Sequence, residues 1–322
     1  TVASNVVTEA QGAAITGTIG YLAEGARTNR CLYSQTFSNA VWVSGGGGIA
    51  VTDNSFVAPD GTTTADTLTA SGANGTLIQD LGVVASAAKA GGLWLYRKTG
   101  TGNIDLTLDG GATWTTKAIS AAWTRVQISQ TLANEDFGIR IVTSGDEVYA
   151  WQGQVETAAF LSSDIPTTTA AVARNADVLT CPLAGILDNA QGSCYVEAQF
   201  SWPAGNTAQG SLVCSAGGGA PLYLRATTQA LSLFDGTADR AGNVVSPSAS
   251  IQKLASNWGG SSAKTFIAGV ASSSLTFDGD LGATGTLQIG CDNSVAQLNG
   301  VISKVRIYRQ KLSDAQLQAM TS

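Results

Sequence analysis

Asn103-Ile104-Asp105-Leu106-Thr107-Leu108-Asp109-Gly110-Gly111 decides the class of fold. Ile104, Leu106 and Leu108 alternate with Asn103, Asp105 and Thr107, and a period of two puts the apolar set on one face of an extended strand. Asp109-Gly110-Gly111 then supplies hairpin chemistry, because glycine reaches the positive φ that a tight reversal requires. Outward from this stretch the rule repeats. Val126 and Ile128 alternate after Trp123, Phe137, Ile139 and Ile141 form another set, and Val148 to Val155 closes the first half. In the second half it returns at Val196, Ala198, Phe200 and Trp202, at Leu222/Leu224, Leu231/Leu233 and Leu287/Ile289, and at Val301, Val305 and Ile307. Leu275 and Leu281 flank a Phe277-Asp278-Gly279 turn. Many short strands separated by glycine turns describe an all-β chain of sandwiches or jelly rolls.

One segment breaks the rule. In Leu312-Ser313-Asp314-Ala315-Gln316-Leu317-Gln318-Ala319-Met320, Ser313 and Gln316 have capping-box spacing and Leu312 and Leu317 the spacing of a hydrophobic staple. This predicts one short C-terminal helix over residues 313–320. With 322 residues the chain exceeds what one core usually fills. The period lapses between Ser162 and Asp177, in the Pro/Thr/Ala run Ser163-Asp164-Ile165-Pro166-Thr167-Thr168-Thr169-Ala170-Ala171, which reads as a linker. The expected organisation is an N-terminal segment or upstream connection over residues 1–20, a sandwich over 21–165, a linker over 166–177 and a second sandwich over 178–322, the two in tandem.

Composition narrows the chemistry. There is no histidine, so Ser-His-Asp and Cys-His nucleophiles, His-ligated zinc and imidazole proton shuttles are excluded. The 23 acidic and 17 basic side chains leave a net charge of −6 without a basic cluster, which argues against nucleic acid and anionic membranes as partners. No apolar run approaches the ~18 residues of a membrane span, so membrane insertion is not expected. Five cysteines (Cys31, Cys181, Cys194, Cys214 and Cys291) without C-x-x-C spacing read as free thiols, compatible with assembly in a reducing cytoplasm. The start, Thr1-Val2-Ala3-Ser4-Asn5, has neither an initiator Met nor a signal-peptide pattern and reads as a fragment or a processed chain.

Two stretches carry a resemblance. The first runs through Gly25-Ala26-Arg27-Thr28-Asn29-Arg30, Tyr33-Ser34-Gln35-Thr36-Phe37-Ser38-Asn39-Ala40-Val41-Trp42 and Pro59-Asp60-Gly61-Thr62-Thr63-Thr64-Ala65-Asp66-Thr67-Leu68. It continues through Trp151-Gln152-Gly153-Gln154-Val155-Glu156, Ile165-Pro166-Thr167-Thr168 and Val172-Ala173-Arg174-Asn175-Ala176-Asp177. In order and spacing this series resembles structural and fibre proteins of tailed bacteriophages and prophage-derived particles, and in outline carbohydrate-binding jelly rolls. Gln152-Gly153 stands where the series usually has Gly-Ala, and Ala173-Arg174-Asn175 where it has Thr-Arg-Ala. The second, Leu275-Thr276-Phe277-Asp278-Gly279, Leu287-Gln288-Ile289-Gly290 and Leu298 through Leu317, resembles concanavalin-A-like, laminin-G-like jelly rolls. The resemblance implies a virion surface protein, a head or tail fibre segment, extracellular on the particle, contacting other virion proteins and commonly a homotrimer.

The expected function is non-enzymatic attachment to bacterial surface polysaccharide. A depolymerase of the same particle and a capsid-decoration or fibre-spacer protein are the alternatives. Glycoside hydrolysis needs two carboxylates about 5–10 Å apart. Glu147, Glu156 and Glu197 lie on expected strands, yet no same-face i, i+2 pair stands out. Asp278 and Asp280 lie in a turn and leave structural calcium open, with no cofactor otherwise expected. Aromatic faces that cover the C–H face of a sugar fit the composition better. Trp42 and Trp151 sit inside the recurring motifs and read as core, whereas Trp114 beside a turn and Trp258 in Ser256-Asn257-Trp258-Gly259-Gly260 read as exposed. The expected glycan-binding residues are therefore Trp258 and Trp114, ahead of Tyr223 and Arg225 on the face opposite Leu222 and Leu224.

Overall fold

The structure, a computed structural model, describes residues 20–200, 210–224, 230–246, 248–292 and 297–322. Trp202, Arg225 and the segment before residue 20 lie outside the described residues. The chain is nearly all β and divides into two compact units, one formed by Arg27–Arg174 and the other by Asn175–Ser322 with a strand from near the start of the chain.

That strand, β1 (Tyr21–Ala23), pairs with residues 300–302, so the sequence-based boundary that gave residue 21 onward to the first sandwich is corrected. The first unit contains β2 (Arg27–Asn29), β3 (Val43–Gly46), β4 (Ile49–Phe56), β5 (Ala65–Ala70), β6 (Gly75–Thr99), β7 (Ile104–Thr107), β8 (Thr115–Lys117), β9 (Thr124–Ile141), β10 (Glu147–Glu156) and β11 (Val172–Arg174). Strand order in the main sheet is β4-β5-β10-β6-β9-β7-β8, with β3 also on β6. The β6–β9 ladder is irregular between Asp80 and Ala87, which lets both long strands serve two layers. Leu77 before the irregularity and Leu93 and Leu95 after it therefore reach one core, shared with Phe37, Trp42, Leu68, Ile104, Leu106, Phe137 and Val148.

At the turn after β7, Gly110 and Gly111 take φ of 69° and 94°, as the glycines suggest. Asp109 holds the turn closed. Its Oδ1 accepts from the Thr113 amide and the Thr107 hydroxyl, each at 2.8 Å, and its Oδ2 from the Thr113 hydroxyl at 2.6 Å and the Gln130 amide at 3.2 Å. Burial raises the Asp109 pKa, but these donors together outweigh it and lower the carboxyl to about 2. A depressed carboxyl contributes stability that is full above the unfolded value of about 4 and lost as pH falls towards 2. Urea denaturation should therefore show the stability advantage over Asp109→Asn at pH 5 shrinking steadily as pH drops through that window.

The motifs that carry the fibre-protein resemblance are occupied in holding this unit together. Asn29 is fully buried, donating to the carbonyls of Gly153 at 3.1 Å and Ile165 at 2.8 Å and accepting the amides of Cys31 and Val155 at 3.0 Å. Arg30 and Lys89 meet on the buried Glu135, and Arg27 lies 3.5 Å from the buried Glu156. The expected linker is corrected as well. Ile165 donates its amide to Gln154 Oε1 at 2.9 Å, Thr167 donates to Ser34 Oγ at 2.9 Å and to the Cys31 carbonyl, and β11 pairs with β2. Such a segment lacks strand periodicity because side-chain to backbone bonds hold it in place of a ladder.

The second unit pairs two sheets. Its strands are β12 (Leu179–Pro182), β13 (Gln191–Phe200), β14 (Gly210–Ser215), β15 (Gly218–Leu224), β16 (Ala230–Phe234), β17 (Asp239–Val244), β18 (Ser248–Gly259), β19 (Ser262–Ile267), β20 (Val270–Ala271), β21 (Leu275–Thr276), β22 (Thr286–Ile289) and β23 (Gly300–Tyr308). One sheet runs β1-β23-β13-β18-β19-β20 with β21 on β19, the other β12-β22-β14-β15-β16-β17. Val196, Ala198 and Leu254 of the first and Leu222, Leu231, Leu233 and Leu287 of the second are fully buried. On the first sheet's other face Tyr195, Ala255 and Phe266 are covered by Leu317 of helix α1 (Asp314–Thr321). Ser313 caps α1, the Ser313–Gln316 capping box forms, and Leu312 packs on the same cluster as Leu317, as expected from sequence. Cys31, Cys194, Cys214 and Cys291 are buried free thiols, and Cys181 is partly buried.

Candidate functional site

Of the four residues expected to bind glycan, Trp258 and Tyr223 are buried, Trp114 is half-buried and Arg225 lies outside the described residues. Trp258 is the penultimate residue of β18 and is 0% exposed, with its indole N–H donating to the Asp188 carbonyl at 3.0 Å. Its partner across the ladder is Gly192, where a Cβ would stand 2.3 Å from Trp258 Cζ2, so the glycine is what admits the indole. Gly259 and Gly260 belong to the hairpin that follows, and their proximity in sequence is what makes a core tryptophan look like a loop residue. Tyr223 is 1% exposed, packed with Cys214, Ala220 and Phe234, and donates its hydroxyl to Asp239. Arg225 lies outside the described residues. Trp114 is half-buried, and the Arg140 guanidinium sits 4.5 Å from its ring centroid, held there by Asp105 at 2.6 and 2.9 Å. The guanidinium covers one face of this ring, and no aromatic ring packs beside Trp114 to extend the surface among the described residues.

The acids and the turn are likewise committed. Glu156 accepts from Gln154 and from both the amide and hydroxyl of Ser162. Glu197 accepts from Lys304 and from the Tyr195 hydroxyl, which lower its pKa against the effect of burial. Asp278 and Asp280 accept the amides of Asp280 and Gly282. Among the described residues no three His, Cys, Asp or Glu side chains are placed to hold a metal ion.

A different constellation emerges from strand pairing. Trp94-Leu95-Tyr96 on β6 and Tyr149-Ala150-Trp151 on β10 run antiparallel, with Tyr96 opposite Tyr149 and Trp94 opposite Trp151. Leu95 and Ala150 point into the core, so alternation turns all four rings onto the sheet's other face. Trp94 and Trp151, each 4% exposed, form the base, their N–H groups donating to Asp164 Oδ2 and Thr64 Oγ1 at 3.0 Å. Phe56, at the end of β4, stacks on Tyr149 with centroids 3.9 Å apart and planes within 4°. Trp123, just before β9, stands edge-on to Tyr96 at 5.8 Å and donates its N–H to the Val57 carbonyl at 3.0 Å. Phe56, Tyr96, Trp123 and Tyr149 are all half-buried, so this cluster is open to solvent on one side.

Hydroxyls and one ion pair border the rings. Thr67 lies opposite Tyr149, and its hydroxyl meets that of Ser55 at 2.7 Å. One row along, Glu147 accepts from Thr69 at 2.8 Å and Thr99 at 3.4 Å and pairs with Lys98 at 3.1 Å, while Lys98 Nζ lies 5.5 Å from the Tyr149 ring centroid. The Thr69 hydrogen bond, helped by Lys98 and Thr99 and opposed by burial, keeps the Glu147 carboxyl below its ordinary pKa. Among the described residues the Tyr96 and Tyr149 hydroxyls have no hydrogen-bond partner. The arrangement offers a rigid aromatic surface, two phenol groups able to donate or accept, and no net charge. The sequence reading missed it, although aromatics at i and i+2 on two strands are a visible sign of one shared face.

No family model and no curated protein matches the chain. Among solved structures, it is loosely similar to domain 4 of AbnA, a GH43 extracellular arabinanase from Geobacillus stearothermophilus, determined in complex with arabinotriose. That likeness has 17% identity and a TM-score of 0.37 over 48% of this chain and 78% of that one. A candidate carbohydrate-binding protein from Bacteroides ovatus ATCC 8483 has 11% identity and a TM-score of 0.36 over 76% of this chain and 77% of the other.

Proposed function

We propose that the Arg27–Arg174 unit binds a bacterial surface polysaccharide across the face formed by Phe56, Tyr96, Trp123 and Tyr149, and leaves its glycosidic bonds intact. The cross-strand aromatic cluster carries this reading. Four rings held by packing and by a fixed indole hydrogen bond present apolar area at little further entropic cost, which is what stacking on the C–H face of a pyranose demands. The neighbouring hydroxyls and phenols supply orienting hydrogen bonds without charge. Hydrolysis would require a carboxyl held protonated near neutral pH. Glu147, the carboxyl that borders this face, is kept in the ionised form, and Asp66, which burial raises to about 6, is 1% exposed with its oxygens accepting the amides of Phe37 and Asn54.

The setting we propose is the surface of a tailed-phage or phage-like particle, as an extracellular head or tail fibre segment that assembles as a homotrimer with other virion proteins. The motif series from Gly25 to Asp177 supports it. Display in many copies would turn a weak single site into firm attachment through effective concentration.

A bacterial glycan array with the full chain tests this reading. The chain should select one or a few polysaccharides, and Tyr96→Ala and Trp123→Ala should each weaken that binding by about 1–3 kcal/mol, the range of one aromatic stacking contact. Incubation should leave the selected polysaccharide at its original length by gel filtration. Shortened chains would establish a depolymerase, and absence of any glycan signal would leave a structural role.

A further inference from the structure

Phe56 reaches the aromatic face through an irregularity in its strand. β4 keeps regular register with β5 from Ile49 opposite Ala70 to Thr52 opposite Thr67, but Phe56 then stands opposite Ala65. Residues 53–55 therefore bulge across from the single residue Asp66. Within the bulge Asn54 takes a φ of 50°, a left-handed conformation that Asn tolerates and β-branched residues avoid. Asp66 is 1% exposed, with Oδ1 accepting the Asn54 amide at 2.9 Å and Oδ2 the Phe37 amide at 2.8 Å. Phe37 is buried in the core beside Trp42, their ring centroids 4.9 Å apart, so one carboxyl ties the bulge to a fixed point. The Ser55 hydroxyl, 2.7 Å from that of Thr67, braces the same turn.

In an unbroken ladder Asn54 would stand opposite Ala65 and Phe56 would fall beyond the end of β5, away from Tyr149. The bulge is thus what brings the Phe56 ring to within 3.9 Å of the Tyr149 centroid. We infer that Asp66 is a positioning residue of the aromatic face: its carboxylate holds the Asn54 bulge closed and thereby keeps Phe56 stacked on Tyr149. A carboxylate suits this task because it accepts at both oxygens, so the two amides are satisfied at once. An isosteric amide offers one acceptor and sets its NH2 against the other backbone N–H. The role assigned to Asp66 rests on the polysaccharide-binding reading, whereas the bulge and the stack can be measured without any ligand.

Aromatic NMR spectra of the full chain, with the Phe56 ring signals assigned by Phe56→Leu, test the inference. In the unmodified chain the stacked Tyr149 ring should displace those signals from their free phenylalanine positions. In Asp66→Asn they should return towards those positions while the Trp94 and Trp151 indole N–H signals stay in place, and affinity for the polysaccharide selected on the array should fall several-fold. Asn54→Val, which disfavours a positive φ, should do the same, and Asn54→Gly, which accepts it, should keep both the stack and the affinity. A purely structural Asp66 would instead lower Tm and leave the Phe56 signals and the affinity of the folded protein unchanged, which overturns the inference. An intact stack in Asn54→Val, or a loosened stack with full affinity, overturns it as well. If Asp66→Asn does not fold, the two Asn54 variants decide. If the unmodified chain binds no polysaccharide, the functional reading fails, and the Phe56 signals alone still decide whether Asp66 sets the stack.

Discussion

Trp258→Ala is expected to destabilise the Asn175–Ser322 unit by about 3–5 kcal/mol, the usual cost of truncating a fully buried large aromatic. The side chain is 0% exposed, its N–H is bonded to Asp188, and Gly192 faces it across the ladder without a Cβ. Removing the indole leaves a cavity that Gly192 cannot fill and strands the Asp188 carbonyl. For a unit of this size each kcal/mol lowers Tm by about 2–4 °C, so calorimetry should show a large fall in the transition of that unit. At temperatures where the variant stays folded, polysaccharide binding should be unchanged. Lost binding with unchanged Tm would instead return Trp258 to the role its sequence context suggests.

Glu135→Gln should cost the Arg27–Arg174 unit a comparable amount, about 3–5 kcal/mol, because it leaves a buried cation unmatched. Glu135 is 0% and Lys89 2% exposed, and the carboxylate serves both Lys89 and Arg30. Among the described residues Lys89 then keeps the neutral Thr157 hydroxyl, at 2.9 Å, whereas Arg30 retains the Leu81 carbonyl and partial access to water. Replacing the pair together, Lys89→Met with Glu135→Leu, removes the unmatched charge and should recover most of the loss, since an apolar pair of similar volume is often as stable as a buried ion pair. Denaturant titrations of the single and double variants measure the difference. A double variant less stable than Glu135→Gln would show that the ion pair itself, and not the stranded ammonium, carries the stability.

What sequence disclosed and what it hid follow from the range of the interactions. Ile104, Leu106 and Leu108 alternate and are all fully buried, because a strand's two faces are encoded within a few residues. The same reading misjudges Asp105 and Thr107 between them, which are buried as well, since Asp105 is paired with Arg140, its ladder partner on β9, which lies 35 residues on in the chain. The Ser313–Gln316 cap is local and was legible for that reason. Pairing of Tyr21–Ala23 with residues near the other end of the chain has no local signature. Trp258 misleads because Gly259 and Gly260 mark a hairpin that begins one residue after a buried side chain. The aromatic face was half legible: Trp94/Tyr96 and Tyr149/Trp151 each announce two rings on one side of a strand. Only the register that sets Tyr96 opposite Tyr149 and brings in Phe56 and Trp123 turns them into a surface.

The most direct test of that surface uses the seven tryptophans as built-in reporters. Their indole N–H signals, each assigned by single Trp→Phe substitution, can be followed by NMR while the polysaccharide selected on the array is added to the full chain. The Trp123 signal should shift or broaden with saturating dependence on the polysaccharide, while those of Trp114 and Trp258 stay in place. Movement of the Trp258 or Trp114 signal with Trp123 unaffected would contradict the account and place the binding site elsewhere.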